Sequence, residues 1–77
     1  MPNQVDILTA IADSLGLSIG DIDKDASLQE DLNLGPIELN DLITQLSNKF
    51  DIILDPEELA HVKTVEDLVI LIEDNLI

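Results

Sequence analysis

His61 is the single histidine of this 77-residue chain, and cysteine is absent. Nucleophilic or general-base chemistry would need a hydroxyl or carboxylate held against that imidazole, with a third group to orient it. Ser14, Ser18, Ser27 and Ser47 show no spacing of that kind to His61. Without cysteine there is neither a disulfide nor a thiolate metal site. No glycine-rich phosphate loop is present. Asp21-Ile22-Asp23-Lys24-Asp25 invites a calcium reading. An EF-hand loop, however, needs glycine at its sixth position for a sharp turn and glutamate at its twelfth as a bidentate ligand. Ala26 and Leu32 stand there. No catalytic residue and no metal site is therefore assigned, and the chain is read as a non-enzyme. His61 is assigned to the end of a short helix, where a positive charge offsets the helix dipole.

The formal net charge is −14, with three lysines and no arginine. Binding nucleic acid begins with neutralising phosphates by Lys and Arg, so nucleic acid is excluded as a partner. Anionic membrane surfaces are unfavourable for the same reason. A basic protein surface is the natural complement. The longest apolar run, Leu68-Val69-Ile70-Leu71-Ile72, falls far short of the roughly 20 residues of a membrane span. No signal peptide is read at the N-terminus, so a cytoplasmic location is expected. With 45% hydrophobic residues at periodic spacing, the chain should fold rather than stay disordered.

Four helices can be read from the pattern. The first spans Gln4 to Leu15, with Leu8, Ile11, Ala12 and Leu15 on one face and Val5 extending it. Gly16 suits the left-handed position just past its end. A long connection follows, from Leu17 to Leu34. A loop of this length needs apolar anchors, and Ile19, Ile22, Leu28, Leu32 and Leu34 are the candidates. The second helix runs from Pro36 to about Phe50. Gly35 is its N-cap, Pro36 its first residue, and Leu34 with Leu39 its hydrophobic staple. Its apolar stripe reads Ile37, Leu39, Leu42, Ile43, Leu46 and Phe50. Leu46 and Phe50 should point inward, toward Leu8 or Ile11 and toward Leu68 or Leu71. Phe50 to Leu54 alternates weakly and could be a short extended piece. Asp55-Pro56-Glu57-Glu58 then starts a short third helix, with Leu54 and Leu59 as its staple. Thr64-Val65-Glu66-Asp67 resembles a capping box that opens a fourth helix, Val65 to about Leu76. The expected fold is all-α: one small four-helix bundle over residues 1–77, with a long first loop and a short third helix.

Together these features resemble the acyl carrier protein family over the whole chain. The resemblance rests on Leu15-Gly16 ending the first helix, Ala26-Ser27-Leu28 followed by Glu30-Asp31-Leu32, and Phe50 closing the second helix. It implies an Asp-Ser-Leu motif at the start of the second helix, whose serine hydroxyl holds a phosphopantetheine arm. Here Gly35-Pro36-Ile37 stands in place of those three residues. Proline has no hydroxyl and cannot form the phosphodiester. The other serines lie away from this helix start in sequence, and the modifying transferase recognises a position. No cofactor is expected; 4'-phosphopantetheine would apply only if position 36 is serine in the source.

The resemblance also implies docking through an acidic second helix. Yet residues 36–50 carry a net charge of only −1, against −6 for residues 1–35 and −7 for residues 51–77. The expected partner-binding face is Glu38, Asn40, Asp41, Thr44, Gln45 and Asn48, mostly neutral amides and hydroxyls. A basic docking patch would gain little Coulomb energy from it, and salt would screen that gain. The expected role is a monomeric, non-catalytic protein-interaction module in a lipid, polyketide or related synthase system. Its partner would be a synthase or acyltransferase component. The alternative is an acyl carrier protein for fatty-acid or polyketide synthesis whose attachment serine has been altered.

Overall fold

Each helix begins where a short polar side chain accepts from an orphaned first-turn N–H or a proline removes one of those donors. The computed structural model describes residues 3–76. Among them α1 spans Gln4–Leu15, α2 Pro36–Phe50, α3 Pro56–Leu59 and α4 Val65–Asn75. Among the described residues no strand is formed, and the stretch after Phe50 is irregular rather than extended. The expected all-α architecture is what the chain adopts.

α1 opens with a capping box that the sequence reading missed. The Asp6 N–H donates to Asn3 Oδ1 at 2.9 Å, and the Asn3 N–H donates to Asp6 Oδ2 at 3.1 Å. It closes on Gly16, whose φ of 72° lies in the left-handed region that glycine enters freely. The inward face keeps Ile11 and Ala12 of the expected stripe but is otherwise rotated from it. Ile7, Ala10, Ile11 and Ala12 are buried, Leu8 and Leu15 are partly buried, and Val5 is 60% exposed. The sequence offers two overlapping stripes on this helix. Packing against both α2 and α4 selects the one centred on Ile7 and Ile11.

α2 starts as expected, with Gly35 as N-cap and Pro36 in the first turn. Leu42 and Leu46 are buried, while Leu39, Ile43 and Phe50 pack partly buried against the core. Leu46 is fully enclosed with Ile11 and Leu68; Phe50 sits at the edge of that cluster rather than at its centre. Ile37 was assigned to the same stripe but is 75% exposed. Five residues before Leu42 corresponds to about 140° around a helix, which turns Ile37 away from the core. Asp51 ends α2 at a φ of 54°, a conformation that Asp tolerates better than most side chains.

The long connection is held by backbone pairing that its sequence does not announce. It contains a single 3₁₀ turn, Ile19–Asp21. Leu28 and Leu34 are buried and Ile22 and Leu32 partly so, but Ile19 is 43% exposed and anchors little. Farther along, the Leu28 N–H donates to the Lys63 carbonyl at 2.9 Å. The Val65 and Glu66 N–H groups donate to the Ala26 and Lys24 carbonyls at 3.1 and 2.9 Å. Loop carbonyls thus serve first-turn donors of α4. Within the loop, the Ser27 N–H donates to Asp31 Oδ2 at 2.7 Å, and Ser27 Oγ accepts from the Glu30 N–H at 3.1 Å.

α3 and α4 are capped as the sequence predicts. Asp55 Oδ1 accepts from the Glu57 N–H at 2.9 Å. Thr64 and Asp67 form the reciprocal box, and Asp67 Oδ2 also accepts from the Lys63 N–H at 3.1 Å. α4 ends at Asn75, one residue before the expected Leu76, and buries Val65, Leu68, Val69, Leu71 and Ile72.

Two stability outcomes follow from this packing. Leu46→Ala should cost about 2–5 kcal/mol, because Leu46 is completely enclosed. Gln45→Ala, on the exposed face, should cost less than about 0.5 kcal/mol. Phe50→Ala should fall between the two, and chemical denaturation of the three variants checks the order. The backbone N–H groups of Lys63 and then Thr64, both directed at its carboxylate, hold Asp67 below its ordinary value of 3.8. Its contribution to stability is therefore complete above 3.8 and is lost as pH falls through the lowered folded-state value. Asp67→Ala should lower the thermal midpoint at neutral pH. That gap should narrow on acidification, as melting curves across a pH series would show.

Candidate functional site: the start and outer face of the second helix

Gly35 enters α2 with extended backbone angles, φ −77° and ψ 177°. A Cβ on Gly35 would come within 3.1 Å of Glu38 Oε2, the far end of an exposed and flexible side chain. A larger residue at 35 is thus accommodated by moving Glu38. Pro36 is exposed, and Ile37 beside it is exposed as well. The first turn of α2 is open to an approaching protein, and the residue at its head is a pyrrolidine ring.

The six residues assigned to the outer face, Glu38, Asn40, Asp41, Thr44, Gln45 and Asn48, are all exposed. They do not form one patch. Glu38, Asp41 and Gln45 line a shallow depression of about 260 Å³ together with Ser14, Leu15, Leu34 and Leu42. This row faces α1 and carries both carboxylates. Asn40, Thr44 and Asn48 recur at four-residue spacing and form a second row without charge. Ile37 adds an apolar side chain at the head of the helix, which the sequence reading had placed in the core. Its angular distance from Leu42 is the signal that could have shown this.

Ser14 is closer to this helix start in space than its separation in sequence implied, since it shares the depression with Leu34 and Glu38. It nevertheless sits in the last turn of α1, not at the head of α2. Ser27 is taken up in the loop by the bonds to Asp31 and Glu30. On the other flank of α2, Leu39 lines a pocket of about 410 Å³ with Leu28, Ala60, Val62 and the polar residues Ser27, Gln29, Glu30 and Lys63. The loop, α2 and the segment after α3 meet there.

His61 lies beyond the C-cap of α3, Ala60, and is exposed. Its neighbours across a surface groove include Glu58, Asp67 and Asp74. Among the described residues no group of three or more His, Asp or Glu is arranged to hold a metal ion. None of the helices described is long and apolar enough to cross a membrane.

The phosphopantetheine group implied by the fold does not fit the residue at the head of α2. Pro36 has no side-chain hydroxyl, and Ser14, which shares the neighbouring depression, belongs to the last turn of α1. The comparison with known proteins nonetheless runs almost the full length of the chain. The family described as "Phosphopantetheine attachment site" matches residues 5–72. An acyl carrier protein from an Exiguobacterium species is 33% identical over 72 residues, covering 94% of this chain and 91% of the relative. That of Exiguobacterium sibiricum is 36% identical over 69 residues, covering 90% and 87%. That of Chlamydia trachomatis is 33% identical over 70 residues, covering 91% of each. With its helix order, its long pinned loop and these similarities, the chain belongs to the phosphopantetheine-attachment family of acyl carrier proteins.

Proposed function

We propose that the chain is an acyl-carrier-like domain without a prosthetic arm, acting as a non-catalytic protein-interaction module. A single observation carries this reading. The first residue of α2, where the family resemblance places the attachment serine, is Pro36, exposed and without a hydroxyl. The domain comprises residues 1–77 and works as a cytoplasmic monomer. Its partner is a protein component of a lipid, polyketide or related synthase system, such as a synthase or an acyltransferase. Docking uses the outer face of α2: Glu38, Asp41 and Gln45 on one row, and Asn40, Thr44 and Asn48 on the other. Recognition on so weakly charged a surface relies on hydrogen bonding and shape more than on attraction at a distance. Ile37 supports the reading, because an exposed isoleucine at the head of the helix offers an apolar anchor to a partner pocket.

The second reading is a true acyl carrier whose attachment serine has been altered. The family match over residues 5–72 favours it. A serine codon at position 36 in the source gene would establish it.

Incubation with a broad-specificity phosphopantetheinyl transferase and coenzyme A, followed by intact mass spectrometry, tests the loss of the arm. The unsubstituted chain should gain no mass, and a product heavier by one phosphopantetheine would refute the proposal. Pro36→Ser alone should be modified poorly, and Gly35→Asp with Pro36→Ser should do better. The added Asp restores the residue that precedes the family's serine and can cap α2. Equal rates for the two variants would show that position 35 is irrelevant.

A further inference from the structure

A second surface lies between α3 and α4. A groove of about 290 Å³ opens there. Val62, Ile70 and Leu71 give it apolar walls, and the carboxylates Glu58, Asp67 and Asp74 stand around them with the exposed His61. None of the six outer-face residues of α2 lines it. Ile70 is 46% exposed, whereas Leu68, Val69, Leu71 and Ile72 around it are buried. Its helical neighbours, three and four residues away in each direction, are Glu66, Asp67, Glu73 and Asp74. Every one is a carboxylate. An exposed isoleucine ringed by acids, beside a groove, is an apolar anchor site with a negative rim.

We propose that this groove is a second docking surface, and that it takes a basic amphipathic segment of a partner protein. Charge complementarity selects that occupant. Residues 51–77 carry a net charge of −7, the largest of the three regions of the chain. Cations brought to the rim relieve the mutual repulsion of the carboxylates, and an apolar side chain between them covers Ile70. A second copy of this chain, at −14 with three dispersed lysines, is repelled. Anionic lipid and nucleic acid are repelled for the same reason. A lysine- or arginine-flanked apolar helix satisfies both the walls and the rim.

The probe is a synthetic peptide of leucine and lysine with its leucines at helical spacing, titrated into the isotope-labelled full chain and followed by amide NMR. A peptide of alanine and lysine with the same charge is the control. Shifts should be saturable and centred on Val62, Ile70 and Leu71, and the control should bind more weakly. Ile70→Asn should weaken leucine-peptide binding roughly tenfold, since about half an isoleucine is buried on docking. Glu58→Gln with Asp74→Asn should weaken it at low salt, with the difference shrinking as salt is added. Asp67 is left unchanged because it holds the cap of α4. A cooperative melting transition verifies that each variant folds, and the charge pair tests the proposal by itself should Ile70→Asn fail to fold. Equal binding of the two peptides, shifts centred on α2, or no saturable binding would overturn the proposal. Each of those outcomes leaves the reading of α2 standing. Conversely, modification of the unsubstituted chain in the transferase assay would refute that reading and leave this groove untouched.

Discussion

The backbone bonds between the long first loop and the start of α4 are the interaction on which the rest of the fold depends. A helix must find partners for its first N–H groups, and a long loop must find something to lie on. Here each requirement meets the other. Val65 and Glu66 donate to the carbonyls of Ala26 and Lys24, and Leu28 donates back to Lys63. Leu28 is thereby carried into the core at 1% exposure. Asp67 fixes the α4 side of the junction from within its capping box, and Asp31 fixes the loop side through Ser27. With the loop held there, Leu34 is buried at the entrance to α2, and Gly35 delivers Pro36 to the first turn.

That delivery decides what the head of α2 can do. In a carrier, this position needs both a helix start and a nucleophilic oxygen. Proline satisfies the first requirement very well, since its ring presets the backbone and its missing N–H is not needed there. It excludes the second. The chain shares the helical scaffold of its family, and the residue at its exposed first turn is a proline. What remains at the surface is a helix whose inner line, Leu42 and Leu46, is buried and whose outer rows are polar and nearly neutral.

The acidity lies elsewhere. It is split between the residues before α2, at −6, and those after it, at −7, where carboxylates on α3 and α4 both cap helices and crowd the surface around Ile70. Capping carboxylates are stabilised by backbone N–H groups; those farther along α4 have no comparable compensation and raise the repulsive energy of the compact state. The same side chains therefore do two things: they start the helices, and they leave a negative face that a cationic partner would stabilise.

Much of this was legible in the residues alone. Local chemistry set the helix starts at Pro36, Asp55 and Thr64 and the stop at Gly16, because caps and prolines act within one turn of chain and need no distant partner. The fold class followed from the 3.6-residue spacing. The outer face of α2 was also readable, since its polar residues recur at helical intervals. Which face of α1 turns inward was readable only in part: Ile11 and Ala12 are buried as expected, but Val5, Leu8 and Leu15 compete with Ile7 and Ala10, and only contact with two other helices breaks the tie. Ile37 and Ile19 read as core residues by hydrophobicity, yet the tertiary arrangement left them outside. The pairing of residues 24–28 with residues 63–66 was invisible, because backbone hydrogen bonds carry no side-chain signature across so long a separation. The groove beside Ile70 exists only because α3 and α4 come together. The residues themselves determined the caps, the helices and the absence of a hydroxyl at position 36; tertiary packing decided which apolar side chains were hidden and which acids became neighbours.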